Sequence, residues 1–187
     1  MLEDVQWMQN SISKKLIQSC FLFSNSGSRF LLDVLSQPIK FVTKHKGSLP
    51  LSLELLSQEV ISLMSEFTNL FFQCLSKEAD NIPQVVKAVL KGVSNCLNNA
   101  PHSLNFVRFF LFECYFFQAL QNPHAYSLKK GPFSEQQKTA VVLAFTPILR
   151  MIVQDKIFSL KDKASALNSV IKKNIDKAHA FCIAAVN

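Results

Sequence analysis

The chain has 187 residues, of which 49% are apolar and 18% charged, and its net charge is +7. This balance excludes an intrinsically disordered chain, which needs low hydrophobicity and high charge, and the length suits one domain with a hydrophobic core. With 4 Gly and 7 Pro, the chain has too few turn residues for a β-sandwich or barrel, so we expect an all-α fold.

Apolar residues recur at steps of three and four along most of the chain, which predicts amphipathic helices. The first such stripe consists of Val5, Met8, Ile12, Leu16 and Cys20. In chain order, the predicted helices are about Asp4–Phe23, Ser28–His45, Ser52–Leu75, Asp80–Asn98, a Phe-rich helix from after Ser103 to before Asn122, Ser134–Gln154 and Ser159–Ala185. We find no internal repeat and no flexible linker, so we expect a single domain over 1–187 with about seven helices.

Local signals add detail to three of these helices. Pro38 has no backbone N–H, so the second helix should be kinked or interrupted there. Asn81 precedes a proline by two residues and suits the cap of the fourth helix. The most hydrophobic stretch, Leu104–Leu120, contains Arg108 and Glu113. A membrane span of that length rarely contains two charges. We therefore expect it to be a buried core helix.

The chain contains no recognisable constellation for catalysis or metal binding. The four histidines are far apart and have no Cys or carboxylate at ligand spacing, so we expect no metal site and no cofactor. No glycine-rich phosphate loop and no nucleophile elbow occurs. The five dispersed cysteines suit buried free thiols in a reducing compartment. We expect a cytoplasmic protein that is not itself an enzyme.

Positive charge is concentrated in the second half of the chain. Residues 1–93 contain nine basic and eight acidic side chains, whereas residues 94–187 contain eleven and five. A basic half fits an acidic protein surface, an anionic lipid surface or nucleic acid. The clusters Lys129–Lys130 and Lys172–Lys173 lack the interleaved aromatic residues of single-strand binders, which disfavours nucleic acid.

Five segments stand in an order that is typical of a known family. They are the polar run Asn10–Lys15, Phe30–Ile39 with its Leu and Pro, the helix start Ile82–Lys87, the aromatic block Phe112–Pro123, and Asn168–Asn174. Together they resemble the catalytic core of the Ras GTPase-activating proteins. The first is similar to the finger-loop run Arg-x-Asn-Ser/Thr-Leu-Ala-Ser/Thr-Lys, and the fourth to Phe-Leu-Arg-Phe-Ile-Asn-Pro-Ala-Ile-Val-Ser-Pro. The resemblance spans about residues 6–182 and implies a GTPase as partner.

The chain departs from this family at its polar positions. The family's finger arginine neutralises charge on the transferring phosphate, and its position falls on Met8 here. The arginine that braces the finger loop falls on Cys114, the Asn-Pro pair on Phe117–Gln118, and a groove lysine on Pro147. Without the finger, this loop cannot stabilise the phosphoryl transition state electrostatically. The resemblance therefore implies GTPase binding with weak or no activation of GTP hydrolysis.

Nine residues are candidates for partner contact, and none is a candidate catalytic residue. They are Met8, Asn10, Ser11, Lys14, Lys15, Arg29, Cys114, Gln118 and Arg150. Two alternatives remain open. The chain could activate a GTPase through a displaced cation, supplied by Lys14, Lys15 or Arg29, or it could be a helical scaffold at the periphery of an anionic membrane.

Overall fold

The computed structural model describes residues 25–54, 56–96 and 100–187, and these residues form six helices and no β-strand. The all-α class is confirmed. The predicted helix Asp4–Phe23 lies outside the described residues. The six helices are α1 (Asn25–Lys44), α2 (Gln58–Lys77), α3 (Gln84–Cys96), α4 (residues 100–121), α5 (residues 135–153) and α6 (Asn168–Ala184), with short 3₁₀-helices at Ala79–Asn81 and Lys163–Leu167.

Two of these helices change their winding along their length. α4 runs from Ala100–Arg108 through a π-helical stretch, Phe109–Phe116, into Phe117–Gln121. α5 does the same, with Val141–Phe145 as its π-helical stretch. A π-helix makes i→i+5 hydrogen bonds, so side chains beyond it point to a different side than in an unbroken α-helix. The sequence pattern did not indicate either stretch.

A core rich in phenylalanine lies between the helices, and all six contribute to it. The Phe67 and Phe145 rings of α2 and α5 stack with their centroids 4.0 Å apart. The Phe116 ring of α4 packs against those of Phe30 in α1 and Phe181 in α6, with ring centroids 6.1 and 5.8 Å away. Each aromatic pair contributes about 0.5–1.5 kcal/mol beyond its buried area. Most side chains of the Leu104–Leu120 stretch are buried, which confirms the prediction of a core helix.

α1 continues through Pro38 without interruption, contrary to one of the two predicted outcomes. A proline inside a helix removes one backbone hydrogen bond and costs about 3 kcal/mol. Here the residues around it, including Val34, Leu35 and Val42, are completely buried. Each of these side chains contributes about 1.5–3 kcal/mol by leaving water, so packing outweighs the local cost.

Three predicted helix starts were wrong because local hydrogen bonds place them elsewhere. α2 begins at Gln58 and not at Ser52, since the Ser57 hydroxyl accepts from the Val60 N–H. α3 begins at Gln84, and Asn81 instead lies in the preceding 3₁₀-helix and donates to Glu78 at 2.8 Å. α6 begins at Asn168, nine residues after the predicted Ser159. α4 begins slightly before its predicted start, at Ala100.

The described cysteines differ in their surroundings. Cys114 and Cys182 are buried, as predicted, whereas Cys74 is half-buried and Cys96 is exposed. Cys96 closes α3 on its solvent side, and the periodic pattern alone did not separate that side from the core. Among the described residues, no helix is long and apolar enough to span a lipid bilayer.

Candidate interaction surfaces

An open groove of about 680 Å³ runs along the outer side of α1. Its α1 wall consists of Leu32, Asp33, Ser36, Ile39, Lys40, Thr43 and Lys44, and Leu128 and Lys129 form the opposite wall. We call this the α1 groove. These α1 residues recur at steps of three and four, so they share one face of the helix. Ile39 forms a buried apolar floor, whereas Leu32 is 44% exposed.

The opposite wall belongs to the loop between α4 and α5, and Lys129 holds this loop in shape. Its ammonium group donates to the carbonyl oxygens of Lys130, Gly131 and Pro132 at 3.2–3.4 Å. It also lies 5.7 Å from the ring centroid of Phe133, a cation–π distance. Gly131 has φ +78°, a conformation that side chains with a Cβ rarely adopt. The wall is therefore a fixed part of the groove.

The rim of the α1 groove is basic. Its lining includes three lysines, Lys40, Lys44 and Lys129, and one carboxylate, Asp33, so it carries a net charge of +2. Lys40 and Lys44 are exposed, and neither forms an ion pair within the part of the chain that the structure describes. A groove with an apolar floor and lysines at its rim is suited to a partner segment with apolar and acidic side chains.

Of the nine candidate residues, five lie outside the described residues: Met8, Asn10, Ser11, Lys14 and Lys15. Arg29 is exposed in the second turn of α1. Its neighbours attach this end of α1 to α4, because the Tyr115 hydroxyl donates to the Gly27 carbonyl at 2.7 Å. The start of α1 therefore lies against the aromatic block Phe112–Pro123, one of the segments that resemble the family.

Cys114 and Gln118 of α4 have different surroundings. The Cys114 side chain is 5% exposed and lies in the core, so a partner at the surface cannot contact its thiol directly. Gln118 is half-buried and presents part of its side chain. Cys114 lies in the π-helical stretch of α4, where it is buried. Gln118 lies in the α-helical turn that follows.

Arg150 forms a two-point ion pair with Glu113, which joins α5 to α4. Its Nε donates to Oε1 at 2.5 Å and its Nη2 to Oε2 at 2.9 Å. The hydrogen bond to Glu113 raises the pKa of the Arg150 guanidinium, and partial burial opposes this. The Nε and Nη2 groups of Arg150 are therefore engaged within the chain. The side chain is still 43% exposed, so its role in partner contact remains a prediction.

Two buried ionisable groups, the Tyr115 hydroxyl and the Cys182 thiol, are not poised for nucleophilic chemistry. Burial raises the pKa of the Tyr115 hydroxyl, which is also engaged with Gly27. Burial also raises the pKa of the Cys182 thiol to about 12, although the nearby Arg108 charge lowers it. Both groups are protonated at neutral pH. Within residues 25–54, 56–96 and 100–187, no three metal-ligating side chains come together.

Sequence reasoning missed the α1 groove. The spacing of Lys40 and Lys44, four residues apart, was a visible signal of a basic helix face. Lys129 was recognised as part of a short basic cluster. Nothing in the sequence showed that the loop carrying Lys129 returns to α1, because the two walls of the groove are 84 or more residues apart in the chain.

Comparison of the chain with protein-family models and with characterised proteins gives no match.

Proposed function

We propose that this chain is a helical interaction module that binds a small GTPase or a related signalling protein, with little or no activation of GTP hydrolysis. The α1 groove carries the proposal. It combines an apolar floor with exposed lysines at the rim, and apolar contact with charge complementarity is how protein surfaces recognise one another.

Two features support a GTPase as the partner over an arbitrary acidic protein. The α1 groove lies on the helix that contains Phe30–Ile39, one of the five segments with family resemblance. The start of the same helix contacts Tyr115 and Phe116 in the aromatic block, the most extended of these segments. Two segments that match in order along the chain are therefore also neighbours in the fold.

Binding to Ras-family GTPases in both nucleotide states tests the proposal. We expect the full chain to bind at least one of them in a state-dependent way. Lys40→Glu combined with Lys44→Glu should weaken that binding at least tenfold, since a tenfold change needs about 1.4 kcal/mol and two reversed charges face the partner. Lys91→Glu is the matched control, because Lys91 is an exposed lysine on α3.

Two results would contradict the proposal. One is the absence of state-dependent binding to every GTPase of the panel. The other is equal weakening by the control and by the groove variants, which would show that binding depends on overall charge and not on the α1 groove.

The alternative of an active GTPase activator has one supporting observation, the exposure of Arg29 at the end of α1 that contacts α4. Single-turnover GTP hydrolysis with a bound GTPase decides between the two. We expect no acceleration, because the finger position falls on Met8. Acceleration that Arg29→Ala abolishes would establish the activator in place of the passive module.

A further inference from the structure

The loop between α5 and the 3₁₀-helix Lys163–Leu167 exposes apolar side chains to solvent. Leu160 is 87% exposed and Ile157 45% exposed. Leu160 is thus more exposed than Leu143 on α5, which is 53% exposed. A single exposed leucine is common in proteins, but here two lie within four residues on one loop. They project an apolar tip from the surface.

This loop is anchored at both sides, so the exposure of Leu160 is a property of a defined conformation. The Asn168 side chain accepts from the Phe158 N–H and donates to the Phe158 carbonyl, both at 2.9 Å. Phe158 packs against the core. The Asp162 N–H donates to the Ser159 carbonyl at 2.9 Å, which closes a turn around Leu160. Little further ordering is needed when the tip meets a partner.

Lysines flank the apolar tip along the chain and follow in the first turns of α6. Residues 155–173 contain five lysines and two aspartates, for a net charge of +3, and the lysines are Lys156, Lys161, Lys163, Lys172 and Lys173. All five are exposed. Ion pairs within the described part of the chain involve other residues, Lys138 with Glu135 and Arg150 with Glu113. The five ammonium groups are therefore available to an anionic surface.

We propose that the loop 154–163 and the first two turns of α6, here called the Lys–Leu surface, dock on an anionic lipid bilayer. Leu160 and Ile157 enter the boundary between headgroups and acyl chains, and the neighbouring lysines contact lipid phosphates. Lysine stems lie along apolar surface while their ammonium groups stay at the polar layer. Each lysine near an anionic leaflet adds to the attraction, and the apolar residues add to it independently.

A bilayer fits this surface better than a protein does. A stable protein interface buries about 800 Å² on each partner around a packed apolar centre. Two apolar side chains among five flexible lysines do not provide such a centre. Reversible membrane attachment requires only a few inserted apolar groups together with several cations. The proposal does not depend on the α1 groove or on a GTPase.

Vesicle flotation with the full chain tests it. One set of vesicles contains phosphatidylcholine alone, and the other contains about 30% phosphatidylserine, enough to give a strongly negative surface. We expect binding to the anionic vesicles, and release as salt rises because the attraction between surface charges is screened. Leu160→Asp should reduce the bound fraction at limiting lipid about tenfold, because it removes an inserted group and adds an anion. Lys161→Glu with Lys163→Glu should do the same.

Matched controls separate this surface from general effects of charge or apolar exposure. Leu143→Asp replaces another exposed leucine on α5, and Lys91→Glu replaces an exposed lysine on α3. Both should bind anionic vesicles like the unmodified chain. Thermal melts of all variants show whether each is folded, so that a loss of binding can be assigned to the surface.

Insertion can be observed directly with a tryptophan at the tip. The chain has one tryptophan, Trp7, so Leu160→Trp is made in a Trp7→Phe background. We expect its emission to move to shorter wavelength with anionic vesicles and to stay unchanged with neutral ones. Equal binding to both vesicle types, no binding to either, or unchanged binding by Leu160→Asp would overturn the proposal. So would a protein partner that is lost in Leu160→Asp while vesicle binding persists.

Discussion

Replacing Asn168 by alanine should release the loop 154–162 from the start of α6. The Asn168 amide makes two hydrogen bonds, both 2.9 Å long, to the N–H and the carbonyl of Phe158. Alanine removes both while leaving the backbone of α6 in place. The residue is 8% exposed, so its amide is buried against the loop.

The expected loss of stability follows from these two contacts. A hydrogen bond between neutral groups contributes about 0.5–1.5 kcal/mol net, so two of them contribute about 2 kcal/mol. Phe158 is half-buried, and water can partly satisfy its backbone groups, so we do not add a full desolvation cost. For a chain of this size, each kcal/mol shifts the melting temperature by roughly 2–4 °C. Asn168→Ala should therefore melt roughly 4–8 °C lower.

Urea unfolding and hydrogen exchange measure the two consequences separately. The urea midpoint should fall at unchanged slope, since the buried area changes little. The Phe158 amide should lose much of its protection, while amides in the centre of α2 keep theirs. Vesicle binding should also weaken, although Leu160 and the lysines remain, because the tip is no longer held in place.

Ser169→Ala is the control, since Ser169 is the exposed neighbour on α6, and it should change stability by no more than about 0.5 kcal/mol. Asn168→Asp should fall between the two, because aspartate can accept from the Phe158 N–H but cannot donate to its carbonyl. Two results would contradict this role of the Asn168 side chain. One is an Asn168→Ala variant as stable as the control, and the other is unchanged protection of the Phe158 amide from hydrogen exchange.

Three further predictions concern the core and the ion pair. Arg150→Met should cost about 0.5–1.5 kcal/mol, a value reduced for solvent screening, and adding Glu113→Gln should cost little more in a double-mutant cycle. Phe67→Ala should cost about 3–5 kcal/mol by urea unfolding, because its buried ring stacks at 4.0 Å. The Cys182 pKa is raised from 9.0 to about 12, so the folded state keeps a proton that the unfolded state loses. Its contribution to stability is full below pH 9 and falls above it by about 1.4 kcal/mol per pH unit. Cys182→Ala should flatten this decline, and a thiol reagent at neutral pH should label Cys96 and spare Cys182; equal labelling would contradict the burial argument.

The sequence identified two helix ends that depend on local chemistry. α5 begins after Ser134, as predicted, because Ser134 and Gln137 bond to each other's backbone N–H groups in a capping box. α4 ends at Gln121, also as predicted, before an Asn-Pro pair that cannot continue a helix. Signals of this kind act over three or four residues and are visible without a fold.

The start of α6 was predicted less well. The predicted helix began at about Ser159, but α6 begins at Asn168, and the two hydrogen bonds between Asn168 and Phe158 hold the preceding segment as a loop. Periodicity counts apolar residues and does not say which of them will find a partner in the core. Leu160 finds none among the described residues and remains exposed.

Two asparagines of the segment Asn168–Asn174, which resembles the family, have structural roles in the fold. Asn168 holds Phe158, and Asn174 is completely buried and donates to Asn69 of α2, 105 residues earlier. A buried amide must be paired to be tolerated, so these residues position α6 on the core. The sequence showed them only as matches to a motif.

The sequence by itself determined the all-α class, the Phe-rich core helix and the absence of familiar catalytic motifs, because composition, periodicity and caps are local properties of the chain. The tertiary structure decided the π-helical stretches of α4 and α5, the engagement of Arg150 by Glu113 across 37 residues, and the formation of the α1 groove from a helix and a distant loop. These features depend on which side chains meet when the helices pack, and no short-range pattern specifies that choice. Part of the positive charge of the second half of the chain, a net +3 over residues 155–173, belongs to the proposed Lys–Leu surface.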